Sequence, residues 1–219
     1  MKESFKNERG KIIVEDMIKI IQDNKNYLSE IDAQLGDGDH GINMNKGFSI
    51  CYDRIKDKQL GFSESLEVLG NVLLNEIGGS MGPLYGLFFL EMAEVIKSKE
   101  EIDKFDFSNM LHRALEGIKQ LTDAKIGDKT LLDTLIPSIE AFDRAINNNG
   151  SFIEALNDLI ESAEKGKDST RDLISKYGRG SRLGEASRNI LDAGAVSCYL
   201  ILKSMSNSIK KLLESSSYS

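Results

Sequence analysis

Apolar residues recur along this chain at three- and four-residue intervals and show no sustained alternation, a periodicity that predicts helices. Ile12, Ile13, Met17, Ile20 and Ile21 share one face of a segment at 8–22. A short second helix at Lys25–Leu35, a third at 41–58 and a fourth at 63–77 follow. The fifth is expected to start at Pro83, a favoured first helical position, and the apolar stretch 84–97 reads as the centre of the core. Residues 107–121 form another amphipathic helix. The next runs from the turn at Gly127 to about Asn147, with Pro137 expected to bend or interrupt it. Ser151 and Glu154 form a capping box that opens a helix reaching about Tyr177, with Gly166 as its weak point. A last helix spans about 194–213, and the tail at 214–219 is expected to fray. About eight helices joined by short loops give an all-α, up-and-down assembly. No Pro-, Gly- or Ser-rich linker and no fixed-period repeat divides the chain, so 1–219 reads as a single domain. In such an assembly alternate loops share an end.

Four of those loops carry candidate chemistry. The first, Ile31 through Asn45, reads I-D-A-Q-L-G-D-G-D-H-G-I-N-M-N. Asp32, Asp37 and Asp39 crowd together among three glycines. Unpaired like charges at close range raise the energy of the ionised forms, so a cation is expected among them. An all-oxygen donor set suits Mg²⁺ or Ca²⁺ rather than zinc. Other readings fit less well. The G-x-G-x-x-G spacing of Gly36, Gly38 and Gly41 follows a helical rather than a strand segment, and its variable positions are aspartates that would repel a pyrophosphate. A calcium loop starting at Asp37 would have Ile42 and Phe48 where Gly and Glu are needed. The remaining alternative is a solvated turn whose aspartates cap helices.

The second stretch, Gly78-Gly79-Ser80-Met81-Gly82-Pro83-Leu84-Tyr85-Gly86, leads into a helix start, where backbone amides bind anions; it reads either as an ordinary loop between helices or, with Gly86 inside the helix at a cost of about 1 kcal/mol, as a place of close approach. The third, Gly127-Asp128-Lys129-Thr130-Leu131-Leu132-Asp133, again opens a helix; Thr130 and Asp133 either face a ligand or cap it. The fourth combines Gly178-Arg179-Gly180-Ser181-Arg182 with Asp192-Ala193-Gly194-Ala195. Its arginines suit a phosphate, or else pair with Glu185 or Asp192. His112 sits outside any motif and reads as a boundary histidine.

Composition narrows the classes. A hydrophobic content of 40% with 29% charged residues is that of a soluble globular chain. A net charge of −7 argues against a nucleic-acid partner. No run approaches the roughly 18 apolar residues of a membrane span, and the first ten residues form no apolar signal region. Cys51 and Cys198 lack metal-ligand spacing and read as buried free thiols. A cytoplasmic location is expected.

Together the four stretches, in this order and spacing, resemble the nucleotide-binding L subunits of dihydroxyacetone kinase, and the resemblance covers essentially the whole chain. It implies an antiparallel barrel of eight helices with a nucleotide at one end. Asp32, Asp37 and Asp39 match ligands of two Mg²⁺ ions that bridge the phosphates of ADP or ATP. His40, Asn43, Gly79 and Ser80 match nucleotide- and phosphate-contacting positions. Gly127, Thr130, Arg179, Asp192 and Gly194 match positions around the rest of the nucleotide. The implied activity is phosphoryl transfer to dihydroxyacetone held by a separate K subunit, with ADP recharged in place by a phosphotransferase-system M subunit; a homodimer is the expected assembly. Two alternatives stay open: an ATP-exchanging kinase acting on another small ketose such as erythrulose, and a nucleotide-state sensor that regulates a transcription factor. The chain departs from the family pattern at Ala193 (usually proline), Arg182 (usually aromatic) and Met81 (often serine).

Overall fold

The computed structural model describes residues 3–216. Among them are nine α-helices: α1 Lys11–Asp23, α2 Lys25–Leu35, α3 His40–Ile55, α4 Phe62–Glu76, α5 Met81–Ile96, α6 Lys104–Lys119, α7 Leu132–Asn147, α8 Phe152–Ser169 and α9 Ala193–Ser216. From α2 onward each helix packs against the next, and α9 closes the ring on α1. This is the up-and-down helical barrel that the periodicity and the resemblance anticipate. Apolar stripes from every helix point inward to one continuous core. Phe48, Tyr85, Phe88 and Phe89 form one aromatic group in it, with the Phe88 and Phe89 rings 5.0 Å apart and edge to face. Phe107, Phe142 and Phe152 join α6, α7 and α8 in a second.

Several boundaries differ from the sequence reading. A small antiparallel sheet, β1 Ser4–Lys6 and β2 Glu101–Asp103, pairs Phe5 with Ile102; three-residue strands are too short to show alternation. Next to it, buried Asn7 donates from Nδ2 to the carbonyls of Ile96 and Lys99 at 2.9 Å each, and its Oδ1 accepts the Ser63 N–H at 3.0 Å. The N-terminal segment is thereby tied to the end of α5 and the start of α4. Helix α5 begins at Met81, two residues before Pro83; proline is tolerated anywhere in a first turn, where its missing N–H has no intrahelical partner. Helix α6 begins earlier than the apolar pattern suggests, because the Asp103 carboxylate accepts the N–H groups of Phe105 and Asp106. The Ser151/Glu154 capping box is present, but α8 ends at Ser169 and not near Tyr177. Helix α9 extends through Ser216; the tail beyond it lies outside the described residues. No described helix is long and apolar enough to cross a membrane. Both cysteines are free and buried, and burial pushes the Cys51 thiol up to about 12.

Pro137 and Gly166 are linked. Helix α7 continues through Pro137. Proline has no N–H for the carbonyl four residues back, which is that of Asp133. Gly166 of α8 packs against that carbonyl: a Cβ on residue 166 would lie 2.3 Å from the Asp133 oxygen and 3.0 Å from the Thr134 Cα. Gly166 is therefore a close-approach position within an unbroken helix. Gly166→Ala is expected to lower the unfolding free energy by about 1–3 kcal/mol through overpacking. In urea unfolding this appears as a lower midpoint with an unchanged slope.

Candidate functional site

In an up-and-down ring the loops α2–α3, α4–α5, α6–α7 and α8–α9 fall at one end. They surround a cavity of about 640 Å³ lined by residues from all four. Asp32 lies in the last turn of α2, with Asp37 and Asp39 in the loop that follows. One carboxylate oxygen from each lies within 4.8 Å of the other two. The loop is tightly folded. The Gly36 N–H reaches the Asp32 carbonyl at 2.6 Å, and the His40 N–H donates to Asp32 Oδ2 at 3.3 Å. At Gly41 a Cβ would come within 2.0 Å of the Lys25 carbonyl, so only glycine lets α3 start this close to α2. Partial loss of water, then the Asp37 and Asp32 carboxylates, raise Asp39 above its usual range. Arg179 from the fourth loop offsets part of this charge through an ion pair with Asp37.

Helix α3 starts beside these carboxylates, and His40 and Asn43 of its first turn line the cavity. His40 is buried; its Nε2 lies 3.0 Å from Ser197 Oγ, which in turn lies 2.8 Å from the Tyr85 hydroxyl. Ser197 Oγ also lies 3.1 Å from the Gly194 carbonyl. Burial pulls the imidazole down to about 4, so it is neutral at pH 7. Gly78, Gly79 and Ser80 line the cavity ahead of α5. Gly79 has φ +75°, and nothing approaches its missing Cβ within 4 Å, leaving its backbone open.

Thr130 lines the cavity, but Gly127 does not. Gly127 has φ +92° and donates its N–H to Asp133 Oδ1 at 2.6 Å, while the Thr130 N–H reaches Asp133 Oδ2 at 2.7 Å. Asp133 is thus a buried cap for the turn, which decides between its two sequence readings. Asp192, Ala193 and Gly194 line the cavity at the start of α9. Asp192 Oδ2 accepts the Ala195 N–H at 2.8 Å, and burial pushes its carboxyl up to about 7. Arg179 does not use Asp192 or Glu185: Glu185 pairs with Arg188 at 2.6 Å, and Arg182 lies outside the lining. His112 is half-exposed and pairs with Asp143 at 2.7 Å, away from the cavity.

Three residues without an individual role in the sequence reading prove central to the site's construction. Ser197 lies on the apolar stretch of α9 and reads there as an ordinary helix position. Tyr85 and Lys129 fall inside the second and third stretches, where nothing local distinguishes them. Lys129 is 1% exposed, has φ +62°, and carries its ammonium among the carbonyls of Thr170, Leu173, Ser187 and Ile190.

The donor set fits a hard divalent cation, being oxygen only, clustered and incompletely neutralised by one arginine. The helix starts of α3, α5 and α9 add backbone N–H groups and positive dipole ends for an anion. Leu84, Ile118, Leu121 and Leu131 supply an apolar wall. The cavity therefore suits a ligand with a charged polyphosphate end and a flat apolar end.

Comparison with known proteins agrees with this chemistry. The DAK2 domain family matches residues 34–207. The ADP-binding subunit DhaL of PEP-dependent dihydroxyacetone kinase 2 from Listeria innocua is 32% identical over 203 residues, covering 91% of this chain and 93% of that one. The corresponding ADP-binding subunit from Escherichia coli is 33% identical over 188 residues, covering 84% and 89%. The crystal structure of the dihydroxyacetone kinase from C. freundii in complex with AMP-PNP and Mg²⁺ superposes with a TM-score of 0.66 over 91% of this chain, at 22% identity, which speaks to the fold. This chain spans 33% of the length of that kinase chain.

The His40–Ser197–Tyr85 contacts generate a prediction. Ser197→Ala removes the hydroxyl shared by two buried polar groups, and an unsatisfied buried group costs about 1–3 kcal/mol. A loss of that size is expected in chemical denaturation. Tyr85→Phe with Ser197→Ala should lose less than the sum of the two single changes, because the two residues share one network.

Proposed function

The chain belongs to the DAK2-domain family, and on that premise we propose that it is the nucleotide-binding subunit of a dihydroxyacetone kinase, a phosphotransferase. In this reading residues 1–219 act as one nucleotide-binding domain that holds ADP or ATP with two Mg²⁺ ions. It passes a phosphoryl group to dihydroxyacetone held by a separate K subunit, and its ADP is recharged in place by a phosphotransferase-system M subunit. It works as a cytoplasmic homodimer. One observation carries the reading: three carboxylates within 4.8 Å of one another open onto a cavity walled by helix starts and an arginine. The names of the relatives, ADP-binding subunits of PEP-dependent kinases, and the AMP-PNP and Mg²⁺ in the C. freundii complex support it.

Each residue then has a physical task. Asp32, Asp37 and Asp39 hold the metal. Bound there, Mg²⁺ supplies charge neutralisation and polarisation of the phosphoryl oxygens. Gly79 and Ser80, with His40 and Asn43, present the starts of α5 and α3 to the phosphates. Arg179 exchanges its carboxylate partner for a phosphate as the site fills. Thr130, Asp192 and Gly194 border the rest of the nucleotide, and Gly127 acts through the turn that sets Thr130. Phosphoryl transfer needs mostly positioning and electrostatics, so the acceptor hydroxyl can arrive on a partner and no covalent nucleophile is required of this chain.

The test is nucleotide retention. The chain is purified with Mg²⁺, desalted and denatured, and any released nucleotide is identified. Stoichiometric ADP is expected, and Asp37→Ala should lose it. Titration calorimetry of Asp37→Ala should show Mg-ADP affinity reduced by roughly two orders of magnitude, since loss of an outer-sphere partner alone costs about 10–100-fold. Reversible ATP binding with no retained ADP would replace the resident-cofactor version with an exchanging kinase. Failure to bind either nucleotide would overturn the assignment.

A further inference from the structure

The segment between α8 and α9 leaves the barrel at Thr170 and returns at Asp192. Between those points it carries Tyr177, Gly178, Arg179 and Gly180 on the cavity wall. Four single hydrogen bonds also cross its base: the Asn189 N–H to the Arg171 carbonyl at 2.7 Å, the Arg188 guanidinium to the Asp172 carbonyl at 2.5 Å, the Ser175 N–H to Ser187 Oγ at 2.9 Å, and the Asp192 N–H to Thr170 Oγ1 at 3.1 Å. At their centre lies the Lys129 ammonium. It donates to Ile190 O at 2.5 Å, Thr170 O and Ser187 O at 2.7 Å each, and Leu173 O at 3.2 Å. The first and last of these residues belong to opposite stems of the segment. Three protons serve the three short bonds, and the fourth oxygen shares one of them. Four converging carbonyl dipoles repel one another and are buried from water; a positive charge among them turns that repulsion into attraction.

We propose that Lys129 is a positioning residue: its ammonium, acting as a tethered cation in a cage of four main-chain carbonyls, clamps both stems of the 170–190 segment and so holds Arg179 over the cavity. The part of this that concerns ligand retention rests on the nucleotide reading above; the clamping does not. Lys129 borders the cavity, but its ammonium is committed to the four carbonyls, so it acts through the segment it pins. Its left-handed backbone, at φ +62°, is consistent with this: a conformation unfavourable for a side-chain-bearing residue is held so that the side chain enters the cage. The neighbouring Asp128 adds a second tether to the first stem of the same segment, its carboxylate pairing with Lys176 at 2.7 Å and its carbonyl accepting the Lys176 N–H at 3.2 Å; it touches the first stem alone, whereas Lys129 joins both.

The experiment compares the full-length wild type with Lys129→Ala, and with Lys129→Gln as a milder variant should the alanine chain fail to fold. Hydrogen exchange reads the clamp without any ligand. Amides at 171–189 are expected to exchange at least about tenfold faster, one factor of ten corresponding to about 1.4 kcal/mol, while α3 and α5 keep wild-type protection. Ammonium chloride should restore protection in Lys129→Ala more than tetramethylammonium chloride at equal ionic strength, because only the smaller ion fits the cage and donates. With Mg-ADP bound, the variant should release nucleotide about tenfold faster. Adding Arg179→Ala to Lys129→Ala should then change the release rate less than Arg179→Ala does alone. Unchanged exchange at 171–189, or faster exchange spread evenly over the chain, would overturn the clamp. Additive effects of the two substitutions would overturn its action through Arg179. A wild type that binds no ADP would sink the nucleotide reading and leave exchange and ammonium rescue to decide the clamp.

Discussion

Mutual repulsion among Asp32, Asp37 and Asp39 is the constraint around which this end of the molecule is built. A cluster of carboxylates within 4.8 Å is costly in a cavity that excludes part of the surrounding water, and the chain sets against it two sources of positive potential and one residue that positions the first of them. Arg179 crosses from the far loop to Asp37. The starts of α3, α5 and α9 border the same space with their positive dipole ends. Lys129 borders the cavity, but its ammonium is taken up by main-chain carbonyls and holds in place the segment that brings Arg179 across. These devices moderate the repulsion without removing it: partial loss of water together with the Asp37 and Asp32 carboxylates keeps Asp39 raised. A site left in that condition has electrostatic capacity for a multivalent cation, and with the cation in place it has capacity for a polyanion.

The ring topology makes this arrangement economical. Because neighbouring helices alternate in direction, stretches separated by some forty or more residues in sequence, such as 36–39, 77–80 and 120–131, arrive at one end without any long excursion. The side chains that hold the barrel lie well inside it, in the Phe88/Phe89 and Phe107/Phe142/Phe152 groups. The loops are thus free to be polar, glycine-rich and strained. Left-handed conformations at Gly38, Gly79, Gly127, Lys129 and Gly178 all fall in these four loops. The cost of such backbones is borne by a core that does not share them.

The helices and the acidic loop were legible in the sequence for a simple reason: periodicity is local, and so is a cluster of aspartates within eight residues. The lower limit of α6 was missed because its cap, Asp103, precedes the apolar pattern, and β1 and β2 because three residues cannot show a period. Gly166 reads as a weak point in the sequence since its reason, the close approach of the Asp133 carbonyl, lies on another helix. Gly127 groups with ligand-facing residues in the sequence because a glycine needed for positive φ and one needed for close approach look the same there. Lys129, Ser197 and Tyr85 share a deeper obstacle. Each is defined by partners far away in the chain, 41 to 61 residues away for Lys129 and 112 between Tyr85 and Ser197, and no local pattern encodes a cage of carbonyls.

The same distinction orders the departures from the family pattern. Arg182 lies off the cavity lining, so its replacement of an aromatic concerns the outer surface of the 170–190 segment. Met81 and Ala193 are on the lining, and both are first residues of helices. At the first helical position proline offers no N–H, whereas alanine does. Ala193 therefore adds a backbone donor at the start of α9, between Asp192 and Gly194, where a proline-bearing relative would have none. That donor faces the same end of the barrel as the carboxylate cluster and enlarges the set of amides available to an anion. Met81 acts differently, placing a flexible, polarisable side chain where a serine would offer a hydroxyl, which trades one directional contact for apolar area beside Leu84. The three clustered carboxylates are untouched by either change. Two of the three departures thus alter the cavity wall beside the carboxylates and the third alters the outer surface, so none of them changes the charge of the cluster itself.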